Sequence, residues 1–344
     1  MAIRLLIVDD SAVVRQTLEK ELGLDPDIQI VGTAPDPFIA RDKIIELKPQ
    51  VMTLDIEMPR MDGLTFLKKL MKHHPLPIII VSSIAARGSQ VALEAMHSGA
   101  VDVMCKPGSA FSLGDLSIEL AEKVKAAARI DMNRLLQSLR AQGSAVHAVS
   151  APLTKLPSKI VVLGASTGGV QAIEAVARRL PKNAPGTVVV QHMPAGFTRA
   201  FAERLDKLCE IEVREAKDGD EIRPGLMLIC PGGLHMMVKS RGAGYAVEVK
   251  DGPLVNKHKP SVEVLFLSAA QTLGAKAIGV MLTGMGADGA RGMLKMREAG
   301  SLNVGQDEKS CVVYGMPRAA AEIGAVEHVL PLDQIADFVL KASQ

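Results

Sequence analysis

The stretch KIVVLGASTGGV, Lys159 to Val170, decides how the second half of the chain is read. Four apolar residues, Ile160–Leu163, give way to a glycine-rich turn with Ser166 in its middle. The segment VQAIEAVARRL then has helical spacing. A strand that breaks through a glycine turn into a helix is the repeating unit of a parallel sheet covered by helices. Three chemistries use such a turn. A phosphate loop needs GxxxxGK[ST], and no lysine follows these glycines. A dinucleotide loop needs GxGxxG, and Ser166 stands at its second glycine. Gly164-Ala165-Ser166-Thr167-Gly168 satisfies GxSxG, the strained elbow that exposes a serine oxygen. Alone the pattern is weak, because glycine turns after a first strand are common.

A nucleophilic serine needs a base, and the base needs an orienting group. His192 follows the apolar run TVVVQ, and Asp288 lies in TGMGADGA after AIGVML. Strands are expected at Ile160–Leu163, Thr187–Val190, Leu226–Ile229 and Ala277–Leu282. A hairpin is expected near Met236–Lys239 and Tyr245–Lys250, joined by SRGAG. Ser166, His192 and Asp288 then fall beyond the carboxyl ends of parallel strands, where such sheets gather ligands. A lone strand-end histidine is more often a packing or capping residue. Three complementary residue types in glycine-permissive loops favour catalysis. His235, after PGGL, is the reserve base, whereas His258 between Lys257 and Lys259 reads as exposed. The order Ser…His…Asp differs from the Ser…Asp…His of common α/β-hydrolases, so a different serine-hydrolase fold is expected.

The first half alternates strands at Ile3–Val8, Ile28–Val31, Val51–Leu54, Ile78–Val81 and Val101–Met104 with helical segments. The helices are expected at Ala12–Leu22, Phe38–Leu47, Leu64–His73 and Gln90–His97, again a parallel α/β pattern. Asp9 and Asp10 follow the first strand, Asp55 the third, Ser82 the fourth and Lys106 the fifth. Oxygen ligands without His or Cys suit a hard cation such as Mg2+. A lysine and a hydroxyl complete a site that holds a phosphoryl group on a carboxylate. Solvated loop acids would explain one pair, but not five suitable residues at the ends of four strands. Leu116–Arg140 has helical composition, and AQGSAVHAVSAPLTKLPSK has linker composition. The expected domains are 1–122, a helical or flexible linker over 123–157, and 158–344.

Composition narrows the classes. A chain of 344 residues is long enough for two domains. Aromatic residues are only 3%, so aliphatic side chains and methionine must fill the cores. With 40 basic and 38 acidic side chains, a general nucleic-acid or membrane-surface binder is disfavoured. Cys105, Cys209, Cys230 and Cys311 form no CxxC or CxxH pattern, which argues for a reducing compartment without a disulfide framework or zinc. The N-terminal apolar run is too short and too soon acidic for a signal peptide, and no segment has the ~18 apolar residues of a membrane span. A soluble cytoplasmic protein is expected.

Residues 1 to about 120 resemble a response-regulator receiver domain, through LLIVDDS, LDIEMPRMDGL, VSS and CKP in order. The resemblance implies a flavodoxin-like doubly wound sheet with Asp55 as phosphoacceptor. It implies Mg2+ held by Asp9, Asp10, Asp55 and the backbone carbonyl of Glu57, with Ser82 as switch hydroxyl and Lys106 contacting the phosphate. Val103 stands where many receivers carry an aromatic switch residue, so aromatic-rotamer signalling is not expected. The usual receiver output is a DNA-binding helix-turn-helix, yet the second half lacks a dense basic recognition helix. GASTGG, QHMP, PGGLHM, LTGMGADGA and GMP instead resemble, in order, the methylesterase domain of the chemotaxis methylesterases. The resemblance spans almost the whole chain.

It implies a doubly wound α/β catalytic domain with a β-hairpin. Ser166 is then the nucleophile, His192 the general base and Asp288 the orienting acid. Thr167 and the Met285 backbone N–H lie by the oxyanion. The implied substrates are glutamyl methyl esters and certain glutamines on the cytoplasmic helices of methyl-accepting chemoreceptors. A chemotaxis histidine kinase is the implied phosphodonor, and the esterase itself needs no cofactor. The unphosphorylated receiver is expected to cover the active site, and phosphorylation of Asp55 to relieve the block. No nucleic acid or membrane insertion is expected, and the working state is expected to be a monomer. Two alternatives remain at this point: a phosphorylation-controlled binding module with an inactive triad, and a DNA-binding response regulator.

Overall fold

The computed structural model describes residues 2–82, 86–106, 113–133, 135–137 and 149–344, with side chains undescribed at 86–89 and 113–116. Ser83 of VSS, Pro107 of CKP and the centre of the expected linker, 138–148 with His147, lie outside the described residues. The chain divides into two units, Met1–Gly143 and Ser144–Gln344.

The first unit runs β1 (Ile3–Val8), α1 (Ala12–Leu22), β2 (Ile28–Ala34), α2 (Pro37–Leu47), β3 (Val51–Leu54), α3 (Gly63–His73), β4 (Ile78–Ser82), α4 (Ala86–His97), β5 (Asp102–Cys105) and α5 (Leu113–Ala127). Its five strands are parallel in the order β2-β1-β3-β4-β5. Strands covered on both faces must be apolar where they are buried, which is why LLIV (Leu5–Val8) and IIIV (Ile78–Val81) read as unbroken runs. Helices begin where a short polar side chain takes free backbone N–H groups. Ser11 accepts from Val14, Asp36 from Phe38 and Ile39, and Asp62 from Thr65. The winding direction reverses between β1 and β3, which opens a crevice at their carboxyl ends. Val103 is buried on β5. Helix α5 continues past residue 122 to Ala127.

The second unit runs β6 (Ile160–Ala165), α6 (Gly169–Ala177), β7 (Thr187–Gln191), α7 (Phe197–Leu208), β8 (Glu212–Glu215), β9 (Leu226–Ile229), β10 (His235–Arg241), β11 (Gly244–Lys250), α8 (Val262–Thr272), β12 (Ala277–Met281), α9 (Ala290–Glu298), β13 (Leu302–Gln306), α10 (Met316–Glu322), β14 (His328–Leu330) and α11 (Leu332–Ala342). Seven parallel strands are ordered β14-β13-β12-β6-β7-β9-β8, and β10 and β11 form a separate antiparallel hairpin. The core is aliphatic and methionine-rich, with Val188, Val190, Leu228, Leu265, Phe266, Met281 and Met293 fully buried. Ser150 and Leu153, inside the span expected as linker, are tied to this unit through Arg179 and Asn183.

Strands β8, β13 and β14 were not among those expected. β8 and β14 are the two sheet edges, with sequences EVRE and HVL. Both carry exposed residues, so neither shows the apolar run of a central strand. The central strand β6 fixes the site. It pairs with β7 through Ala165↔Gln191 and with β12 through Gly164↔Met281. The loops after β6, β7 and β12 therefore meet on one crest.

Candidate active site

Ser166 follows β6 directly, and His192 follows β7. Because Ala165 and Gln191 are register partners, the next residue on each strand is its neighbour's neighbour, and His192 N–H donates to Ala165 O at 3.2 Å. On the other side of β6, Ser166 N–H donates to Thr283 O at 3.0 Å, which draws the TGMGADGA loop alongside. The elbow turns tightly: Gly169 N–H donates to Ser166 O at 2.7 Å, and Gly168 has φ +80°. A side chain at 168 would be strained by that φ and would also strike Val312. Gly284 lies flat against the elbow, where an added Cβ would stand 2.8 Å from Ser166 Cβ.

Gln191 locks this arrangement. Its Nε2 donates to both Ser166 O (2.9 Å) and His192 O (3.1 Å), so one buried amide bridges the two residues. Gly169 leaves room for it: a Cβ there would collide with the Gln191 amide oxygen and come within 2.7 Å of Ala165 Cβ. Gly169→Ala is therefore expected to cost about 1–3 kcal/mol, the usual cost of overpacking. A melting midpoint several degrees lower, with slower ester hydrolysis, is the expected reading. An unchanged midpoint would show that the interlock has slack.

His192 and Asp288 are both buried, and His192 Nε2 lies 2.9 Å from Asp288 Oδ2. An ionised carboxylate only accepts, so the proton sits on Nε2 and the lone pair on Nδ1. Nδ1 is buried and has no hydrogen-bond partner among the described residues. Asp288 is saturated. Oδ2 also accepts from Val262 N–H at 2.6 Å. Oδ1 accepts from Ser261 Oγ and Asn256 Nδ2, both at 2.8 Å, and from Glu263 N–H at 3.4 Å. Burial opposes its charge, but the bond to His192, the electrostatic attraction of that ring, and the Asn256 and Ser261 bonds together hold the carboxyl well below the usual range.

These bonds also explain a cap. Ser261 is the N-cap of α8 but makes no side-chain capping bond of its own, because its hydroxyl is turned to Asp288. Asp288 takes the first free N–H groups of α8 instead. On the other side, burial raises the Glu263 carboxyl at the start of α8, and the nearby N–H groups of Gly292 and Gly289 at the start of α9 only partly offset this.

The remaining histidines of interest are placed as follows. His235 is spent on structure, with Nε2 on Pro253 O (2.8 Å) and Nδ1 accepting from Ser261 N–H (3.3 Å). It is therefore held away from a base role. His258, read from its lysine neighbours as exposed, is half-buried, and its ring stacks on His192 with centroids 3.7 Å apart. Its burial comes from a partner distant in sequence. Thr167 is buried after Ser166, with its carbonyl accepting from Thr283 Oγ1, and Met285 is half-buried next to Gly284. Asn256, His258, Ser261 and Gln191 were missed as site residues. Of these, Ser261 carried a sequence signal, as a serine after Pro260 that opens the apolar run VEVLFL.

In the first unit, carboxylate oxygens of Asp9, Asp10 and Asp55 lie within 4.8 Å of one another at the β1/β3 crevice. Lys106 Nζ is 2.6 Å from Asp55 Oδ2 and 3.0 Å from Asp9 Oδ2. Burial, only partly offset by Lys106, pushes the Asp55 carboxyl up to about 6. Glu57 N–H donates to Asp55 Oδ1 at 3.1 Å, and Ser82 is buried at the end of β4. A hard divalent cation fits this donor set, because two buried carboxylates, Asp9 and Asp55, converge with the exposed Asp10 and call for compensating charge.

A CheB methylesterase family model matches residues 161–339, and a response regulator receiver domain model matches residues 5–115. Relatives of similar length include protein-glutamate methylesterase/protein-glutamine glutaminase 2 of Syntrophus aciditrophicus, 54% identical over 98% of both chains. Another is protein-glutamate methylesterase/protein-glutamine glutaminase 4 of Anaeromyxobacter dehalogenans, 54% identical over 98% of this chain and 94% of that one. The crystal structure of the Thermotoga maritima CheB methylesterase catalytic domain is 39% identical. It covers 54% of this chain and 98% of that one, with a TM-score of 0.52. These matches favour neither a DNA-binding output nor an inactive binding module. The chain belongs to the CheB methylesterase family, with a response-regulator receiver domain ahead of the esterase domain.

Proposed function

We propose that this chain removes methyl groups from glutamyl methyl esters, and amide groups from certain glutamines, on the cytoplasmic helices of methyl-accepting chemoreceptors, under control of Asp55 phosphorylation. The observation that carries the reading is the His192 imidazole. Its Nε2 is held by a saturated buried carboxylate while its Nδ1 is buried without a partner, beside a serine elbow. The relatives' printed names supply the substrate class.

The chemistry follows from the groups present. His192 Nδ1 takes the Ser166 hydroxyl proton as Oγ bonds to the ester carbonyl carbon. The carbonyl oxygen becomes an oxyanion, to which Thr167 and the Met285 backbone N–H are assigned. Such a donor is worth ~3–4 kcal/mol in other serine hydrolases. The tetrahedral adduct collapses, the ester C–O bond (or the amide C–N bond of a glutamine) breaks, and the His192 proton leaves with methanol (or with ammonia). Water then attacks the acyl-serine, gives a proton back through His192, and frees the glutamate carboxylate and Ser166. Asp288 holds the tautomer and stabilises the imidazolium throughout.

In the receiver, Asp55 is assigned as phosphoacceptor and a chemotaxis histidine kinase as donor. Asp9, Asp10, Asp55 and the Glu57 carbonyl would hold Mg2+, which when bound supplies positive charge beside the phosphoryl oxygens. Ser82 and Lys106 are assigned to contact those oxygens. Saturating Mg2+ is expected to stabilise the receiver by about 1–2 kcal/mol at ten or more times its Kd. Melting with and without Mg2+ reads this, and Asp10→Ala should erase the shift. No described helix is long and apolar enough to cross a membrane. The proposed place of action is the cytoplasm, as a monomer.

The direct test is methanol release from a methylated receptor fragment, with and without a small-molecule phosphodonor and Mg2+. Release that rises on phosphorylation, and fails to rise in Asp55→Asn, is expected. No release from the wild type in either state would end the proposal.

A further inference from the structure

We propose that His258 is a positioning residue of the esterase site. Its ring, stacked on His192, holds the imidazole in the plane compatible with both the Asp288 bond and proton uptake at Nδ1. This inference rests on the serine-esterase reading above and deepens it.

The need for such a residue comes from the torsion of the base. Histidine χ2 is a broad sp³–sp² rotor, so packing has to choose the ring plane. The bond from Nε2 to Asp288 Oδ2 pins one atom of the ring and leaves the rest free to tip about it. Nδ1, the atom that must meet the serine proton, makes no hydrogen bond of its own among the described residues. A flat partner across the ring face removes that freedom. The His258 ring lies there, with centroids 3.7 Å apart and planes within 15° of parallel.

The backbone that delivers His258 is built for the purpose. Val255 and His258 exchange both backbone hydrogen bonds, Val255 N–H to His258 O at 3.1 Å and His258 N–H to Val255 O at 2.9 Å. The two residues between them, Asn256 and Lys257, have φ of 51° and 68°, the positive pair that a type I′ turn requires. Asparagine tolerates that region, but lysine adopts it against a steric penalty. Both shoulders of the turn are anchored in the site. Asn256 Nδ2 bonds Asp288 Oδ1 at 2.8 Å, and His258 covers His192. One four-residue turn thus grips the acid with its second residue and the base with its fourth. Backbone strain that persists between two such anchors marks a position held for function.

The experiment compares His258→Ala, His258→Gln and His258→Phe in the full chain. Alanine and glutamine remove the flat face, whereas phenylalanine keeps it and drops the imidazole nitrogens. On a methylated receptor fragment, Ala and Gln are expected to lower kcat by roughly 10- to 100-fold, as for ångström-scale misplacement of a reacting group, with KM within about twofold. Phe should recover to within about threefold of wild type, since one aromatic face can stack in place of another. The rate at which a fluorophosphonate labels Ser166 should follow the same ranking without any receptor present. If Ala melts too early to assay, Gln carries the comparison. Wild-type kcat in Ala or Gln, a loss confined to KM, or a Phe variant as slow as Ala would each overturn the proposal. If the wild type labels at Ser166 yet releases no methanol, the substrate assignment fails, while the labelling ranking still decides the role of His258.

Discussion

Ser166→Ala is expected to lower methanol release from a methylated receptor by about 10⁴- to 10⁶-fold, the range seen when a hydrolase loses its nucleophile. It should leave the melting midpoint within a degree or so. The two readings separate because the backbone holds the elbow. Ser166 N–H donates to Thr283, and its carbonyl accepts from Gly169 and Gln191. Alanine keeps all three bonds, and it keeps the Cβ that lies against Gly284. Only the hydroxyl is lost. A variant that melts as wild type and still turns over at more than about one-hundredth of its rate would show that another group attacks the ester.

The second large effect is at Asp288, and its size depends on the replacement. Asp288→Leu strands the His192 Nε2–H, the Val262 N–H and the Ser261 hydroxyl in a buried pocket, and releases the exposed Asn256 amide. Losing one side of a buried charge network costs about 3–5 kcal/mol, and the tautomer of His192 is lost with it. Asp288→Asn is milder. Ser261 can rotate to accept and the Asn256 amide can flip, so a new NH2 group can face them while its carbonyl still receives Nε2–H and Val262 N–H, and only the long Glu263 N–H bond is lost. The expected loss is therefore ~10²-fold, against the ~10⁴-fold of a triad aspartate-to-asparagine change that imposes the wrong tautomer. A loss for Asn as large as for Ser166→Ala would mean that this rearrangement does not occur.

The same environment sets a pH dependence. A carboxyl whose folded pKa is depressed contributes stability that is present above its unfolded pKa and is lost as pH falls through the folded value. The depression at Asp288 places that loss below the ordinary carboxylate range. The contribution of the ionised Asp288 carboxylate to stability should therefore be lost only as pH falls below the ordinary carboxylate range, read as a wild-type melting midpoint that converges on that of Asp288→Leu in strong acid.

The central strands could be read from the sequence because burial on both faces demands apolar residues, as IRLLIV, VMTL, TVVVQ and LMLI show. The two edges of the second sheet could not, nor could the inner strand β13, whose LNVGQ is broken by Asn303 and Gly305. EVRE pairs through its backbone on one side and meets water with its charges, so its pattern differs little from a loop. The strand-end residues Ser166, His192 and Asp288 could be listed because topology fixes where strand ends go. The loop GPLVNKHKPS defeats that logic. Asn256 and His258 reach the site through a tight turn whose two positive-φ residues are Asn and Lys, without the glycine that usually signals one. Lys257 and Lys259 mark the segment as solvated, although the histidine between them faces inward onto His192. Gln191 was hidden differently: a polar residue that ends an apolar strand gives no sign that its amide spans two loops.

The position of Asp288 between the starts of α8 and α9 has a consequence for quality control of this enzyme. Asp288 is fixed by N–H groups at the start of α8 while it leads into α9, so its place beside His192 depends on how the two helices dock. On the proposed mechanism, a copy in which these helices have docked wrongly would lack the oriented imidazole and would not attack esters at random. Mispacked protein would then fall silent, and a chain that demethylates would by that act report its own correct assembly.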